Sequence, residues 1–71
     1  HINEDVLVSA INAFLSEQKK ENRVFFVRRY FYHDEIKEIA ERFDASESKV
    51  KVSLHRTREA LKKKLEKEGL L

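Results

Sequence analysis

Asp34–Arg58, DEIKEIAERFDASESKVKVSLHRTR, is the stretch that decides how this chain folds. In its first part Ile36, Ile39, Ala40 and Phe43 recur at i, i+3, i+4 and i+7, the spacing of one helix face. Glu35, Lys37, Glu38, Glu41 and Arg42 fall between them and form a solvated face. The pattern stops at Asp44-Ala45-Ser46. Asp tolerates a left-handed backbone better than most residues. Ser46 can accept a hydrogen bond from the free amides of a following helix, and Glu47 then suits that helix's positive end. Helix, three-residue turn, helix is the plan in which the second helix enters a DNA major groove.

The second helix divides its faces sharply. At about 100° per residue, Val50, Leu54, Thr57, Leu61 and Leu65 form one packing stripe. The opposite face carries Ser48, Lys51, Val52, His55, Arg56, Lys62 and Lys63. From Lys49 to Lys64 the basic residues are Lys49, Lys51, Arg56, Arg58, Lys62, Lys63 and Lys64, against the single acid Glu59. A basic helix face is often only a solvated surface, but these residues have few acidic partners on their own helix. Val52 sits about 200° from Val50 and cannot share its core stripe. An apolar β-branched side chain among basic ones suits contact with a thymine methyl. DNA binding is therefore the expectation, with a purely structural bundle as the bland alternative.

The 71 residues make one domain, 1–71, near the small end of what folds without staples. Cysteine is absent, which excludes disulfides and thiolate metal sites and fits a reducing cytoplasm. With no proline and a single glycine, Gly69, the composition predicts an all-α fold: a small four-helix domain with a C-terminal helix-turn-helix and a long recognition helix. No apolar run is long enough for membrane insertion, and no export signal is present. Methionine is absent even at position 1, so a fragment of a longer or processed protein is expected. The net charge of +2 conceals an asymmetry. Residues 1–35 hold five Lys/Arg and six Asp/Glu, whereas residues 36–71 hold ten and seven, so a polyanion would meet the C-terminal half.

Taken from the start, His1 and Ile2 are expected to fray. Asn3 reads as the N-cap of a helix over Glu4–Leu15, with Leu7, Ile11, Phe14 and Leu15 as its buried stripe. Ser16 reads as the cap of a second helix, about Glu17 to Tyr32, which opens polar and ends in the nearly all-apolar VFFVRRYFY. His33 falls at a helix boundary where φ is often positive, and Gly69 suits the C-terminal end of the last helix. Of the cluster Phe25, Phe26, Tyr30, Phe31 and Tyr32, at least three rings are expected in the core and one or two on the surface, where they could dock a protein.

Catalytic chemistry finds no footing. His1, His33 and His55 lack metal-ligand spacing, there is no Gly-rich phosphate loop, and the acids are scattered over solvated faces. The reading is of a protein without catalytic residues, metal, cofactor or small-molecule substrate.

The chain resembles region four of bacterial RNA polymerase sigma factors, most closely the extracytoplasmic-function group. The matching residues are Arg23, then Val27-Arg28-Arg29-Tyr30-Phe31, then Glu38-Ile39-Ala40. Ser46-Glu47, Val50-Lys51, Leu54, Arg56, Arg58 and Leu61 continue the spacing, so that the likeness spans about residues 7 to 67. The resemblance implies a four-helix domain that reads the −35 promoter element of double-stranded DNA and docks on the β flap of the polymerase core. By position, Lys51, Val52, His55 and Arg56 would face base edges. Ser48 and Lys49 would lie near phosphates, as would the start of the preceding helix, and the charge of the long helix itself adds Arg58, Lys62 and Lys63 to the expected phosphate contacts. Phe14, Phe25, Phe26 and Tyr30 would supply the protein-docking face, and an anti-sigma factor stays open as a further partner. Three positions depart from the family pattern: Asp44 and His33 replace glycines, and Glu35 replaces a small hydroxyl cap, so Asp34 is expected to take the capping role. Two other readings stay open, a stand-alone helix-turn-helix regulator and a helical module that binds only a partner protein.

Overall fold

Two of the helices begin at a residue whose side chain accepts from a free amide of the first turn. The computed structural model describes residues 3–71, and the expected fraying of His1 and Ile2 lies outside them. Among the described residues the order is α1 (Glu4–Ser16), α2 (Lys20–Tyr30), α3 (Ile36–Arg42) and α4 (Glu47–Lys67), without a strand. The all-α expectation holds.

Asn3 caps α1, its side-chain oxygen accepting from the Asp5 amide at 2.7 Å. Ser46 caps α4 in the same way, accepting from the Lys49 amide at 3.0 Å. The other two starts differ from expectation. Ser16 does not cap α2. It stays in α1 as its last residue, and its hydroxyl donates to the Ala13 carbonyl at 2.7 Å. A helical Ser can bond back to the preceding turn, so its polarity alone does not say on which side of a boundary it stands. The chain between α1 and α2 is then tied by Arg23, whose guanidinium donates to the Gln18 carbonyl at 3.3 Å. For α3 the N-cap is Glu35, not Asp34, and the Glu38 carboxylate accepts from the Glu35 amide at 2.9 Å. Asp34 is engaged elsewhere: its carboxylate accepts from Arg28 Nε at 2.7 Å and its carbonyl from Arg29 at 3.0 Å.

Among the described residues three adopt positive φ: His33 at 60°, Asp44 at 52° and Gly69 at 73°. The last two close helices in the same manner. After α3 the Ala45 amide reaches the Ala40 carbonyl at 2.9 Å, and after α4 the Leu70 amide reaches the Leu65 carbonyl at 2.8 Å. These are the long bonds of a Schellman ending, which needs one left-handed residue between helix and exit. His33 lets the chain turn after α2, where the Asp34 amide bonds the Arg28 carbonyl at 3.0 Å. Arg28 is thereby bound to Asp34 through both backbone and side chain, and α2 stops at Tyr30, two residues before the expected end.

The core gathers Phe14 and Leu15 from α1, Phe25 and Phe26 from α2, Ile39 and Ala40 from α3, and Val50 and Leu54 from α4. Phe25, Ile39 and Val50 are completely enclosed, and each such side chain contributes about 1.5–3 kcal/mol relative to exposure. α4 packs on α1, α2 and α3, and α2 also touches α3. The longest helix is thus the spine on which the others assemble, and it accounts for most of the 39 Å long dimension.

The aromatic cluster divides differently from expectation. Only Phe25 and Phe26 enter the core, whereas Tyr30, Phe31 and Tyr32 are exposed, as is Phe43 from the α3 stripe. Because α2 ends at Tyr30, the last two rings sit in the corner beyond it and no helical period turns them inward. The expected docking surface is corrected in consequence. Phe14, Phe25 and Phe26 are core residues at 4%, 1% and 6% exposure, and of the four named rings only Tyr30 reaches the surface.

Candidate nucleic-acid interface

The turn between α3 and α4 comprises Phe43, Asp44, Ala45 and Ser46. The left-handed Asp44 reverses the chain, and the Ser46 cap fixes where α4 starts. From that start the 3.6-residue period decides which side chains turn inward. Val50, Leu54, Thr57 and Leu65 are buried, with Leu61 packed against the core. That anchors one side of α4 to the bundle and leaves the other outward.

All nine residues expected to meet DNA are exposed: Lys51, Val52, His55 and Arg56, and with them Ser48, Lys49, Arg58, Lys62 and Lys63. Val52, at 48% exposure, is an apolar side chain in the basic face with no core role. Eight of the nine share the outward half of the helix, with Lys51 and Lys62 on one flank and Lys49 and Arg56 on the other. Arg58 stands apart. It lies about 80° around the helix from Val50, close to the packing stripe, and its guanidinium donates to the Tyr30 hydroxyl at 2.7 Å. The structure therefore gives Arg58 a partner within the bundle and separates it from the outward face.

Two contacts of this surface were not anticipated from the sequence. Ser53 is buried, and its hydroxyl donates to Asn22 Oδ1 of α2 at 2.7 Å, tying α4 to the middle of the domain. The signal was present in the period, since Ser53 lies about 60° from Val50 on the core side. Lys49 pairs with Glu21 of α2, Nζ to Oε2 at 3.1 Å, so an acid from another helix borders the basic face. No pattern within α4 could announce it. Lys64 pairs with Glu68 at 3.5 Å one turn on, away from the outward face.

No cluster of His, Cys, Asp or Glu able to hold a metal ion occurs among the described residues. Nor is any described helix long and apolar enough to cross a membrane. Every buried side-chain polar atom among the described residues has a partner, so no orphaned group waits for a ligand in the core. The chemistry on offer is a row of cations with one methyl-bearing side chain, held on a capped and buried-backed helix. Such a face can neutralise phosphates and read base edges.

Comparison with known proteins identifies the family. Among curated proteins none matches the chain. The model of the family described as "Sigma-70, region 4" matches residues 11–61, which takes in the second half of α1, all of α2 and α3, the turn, and α4 as far as Leu61. A capped helix-turn-helix with a basic outward face, and a family match over most of the chain, lead to one conclusion: this chain belongs to the sigma-70 region 4 family, DNA-binding domains of transcription initiation.

Proposed function

We propose that this chain, in a sigma factor of the extracytoplasmic-function kind, reads the −35 promoter element through the outward face of α4. The observation that carries the reading is the placement of Lys51, Val52, His55 and Arg56 on the first three turns of a helix whose start is fixed by Ser46. These four take the base edges. Arg56 suits the O6 and N7 of guanine, and Val52 suits a thymine methyl. Ser48, Lys49, Lys62 and Lys63 take phosphates. Arg58, bound to Tyr30, is left out of that set.

The same reading gives the domain a second partner, the β flap of the polymerase core. What supports it is the family, together with the exposed rings Tyr30, Phe31 and Tyr32 at the corner after α2. These rings replace the buried Phe14, Phe25 and Phe26 as the docking surface. An anti-sigma factor would compete for one face or the other. The work of such a domain lies in the cytoplasm, where polymerase and promoter meet.

Selection from random duplex DNA with this chain, followed by sequencing of what it retains, tests the reading. The expected outcome is a short enriched motif with a guanine and a thymine at separate positions. Affinity should also fall with salt at a log–log slope between about −3 and −4.5, for three to five neutralised phosphates. An unenriched pool together with a flat salt dependence would remove DNA reading and leave a protein-binding module.

A further inference from the structure

The outward face of α4 has an acid at its edge that base recognition does not use. Glu21, in the first turn of α2, holds Lys49 at 3.1 Å, and both side chains are about half exposed, at 51% and 55%. An ion pair so exposed adds little to stability. Its place is more telling than its strength. Lys19 and Glu21 at the start of α2 form one wall of an open groove, and Ser48, Lys49, Val52 and Arg56 of α4 form the other. The Ser53–Asn22 hydrogen bond at 2.7 Å ties these two walls together. A phosphate that engages Lys49 therefore competes with a carboxylate carried on the opposite wall.

We infer that Glu21 is a brake on phosphate-driven affinity: it holds Lys49 in an ion pair in the free domain and so competes with the DNA backbone for that cation. The inference rests on the DNA-reading role proposed above. Its physical basis is that phosphate contacts carry no base information and supply essentially all of non-specific binding. Weakening one of them lowers affinity for every duplex about equally. A domain with fewer free cations spends less time on non-target DNA, which matters when such sites are in great excess. Glu21 thus sets the absolute affinity, while Val52 and Arg56 set the preference.

The test is Glu21→Gln, measured on the selected duplex and on a random-sequence duplex of equal length over a range of salt. The sign decides. The brake predicts that Glu21→Gln binds both duplexes tighter, by about three- to tenfold at low salt. It also predicts a salt slope steeper by about 0.9, for one more released counterion, and an unchanged ratio between the two duplexes. In a Lys49→Ala background the gain should shrink to less than about twofold, since the brake acts through Lys49. Weaker or unchanged binding by Glu21→Gln, in a protein that melts like the wild type, overturns the inference, because Glu21 would then be orienting Lys49 for DNA. An undiminished gain in the Lys49→Ala background overturns it as well, by showing only a general charge effect. Failure of the wild type itself to bind any duplex is a separate result, which removes the DNA-reading role and the brake with it.

Discussion

The hydrogen bond from Ser53 to Asn22 offers the most direct test of how α4 is held. Ser53 is buried at 8% exposure, and Asn22 Oδ1 accepts from its hydroxyl at 2.7 Å. A bond of this kind contributes about 0.5–1.5 kcal/mol net, and an orphaned buried hydroxyl costs about 1–3 kcal/mol. Two effects reduce what a single substitution shows. A helical Ser can turn its hydroxyl to the carbonyl four residues back, here Lys49. Both Asn22→Ala and Ser53→Ala also gain roughly 0.5 kcal/mol of helix propensity. Each single variant should therefore melt close to the wild type, and only a double-mutant cycle isolates the pair. The expected coupling is about 1 kcal/mol. In a domain of this size that corresponds to single-variant melting shifts which fail to add by about 4–8 °C. Urea unfolding of the four proteins, with slopes compared, is the assay. Additivity within about 0.3 kcal/mol would refute the reasoning and mean that apolar packing alone sets the seat of α4 on α2.

The remaining predictions concern the corners and the two faces. Ser46→Ala should cost about 1 kcal/mol of stability through the lost cap and weaken DNA binding, both readable from thermal melts and binding isotherms. His33→Gly should raise stability by up to about 1 kcal/mol, because φ of 60° strains a side chain but not glycine; a lowered melting temperature would show that the His33 side chain stabilises the corner. Lys51→Glu should abolish DNA binding yet leave capture of a β-flap fragment intact, and loss of both from a folded protein would place the two activities on one face.

Much of the fold was written in local rules. Asn3 and Ser46 cap, and Asp44 and Gly69 turn left-handed at the ends of α3 and α4. Each can be read from residue type and helical period, because the interactions lie within five residues of one another. The misreadings share a different cause. Asp34 lost the cap to Glu35 because Arg28 claims its carboxylate. Phe31 and Tyr32 stay outside because α2 ends where that same contact bends the chain. The run VFFVRRYFY is apolar on nearly all sides, so periodicity could not say which rings turn inward. The outward face of α4 was legible because burial of Val50 and Leu54 fixes its opposite side. The tie of Arg58 to Tyr30 and of Lys49 to Glu21 was not, since each partner comes from α2 and no pattern within α4 reports it.

The central claim is that the outward face of α4 reads bases rather than merely attracting phosphates. Arg56 and Lys51 lie on opposite flanks, roughly 140° apart, with Val52 and His55 between them. Binding of wild type, Arg56→Ala, Val52→Ser and Lys62→Ala to every single-base variant of the selected duplex measures the claim directly. The account predicts that Arg56→Ala relaxes the preference at one base pair, by the roughly 1–3 kcal/mol a bidentate guanine contact supplies. It predicts that Val52→Ser loses a thymine preference without changing the salt slope, while Lys62→Ala weakens all variants alike. A uniform loss from Arg56→Ala, the same as from Lys62→Ala, with the thymine preference intact in Val52→Ser, would contradict it.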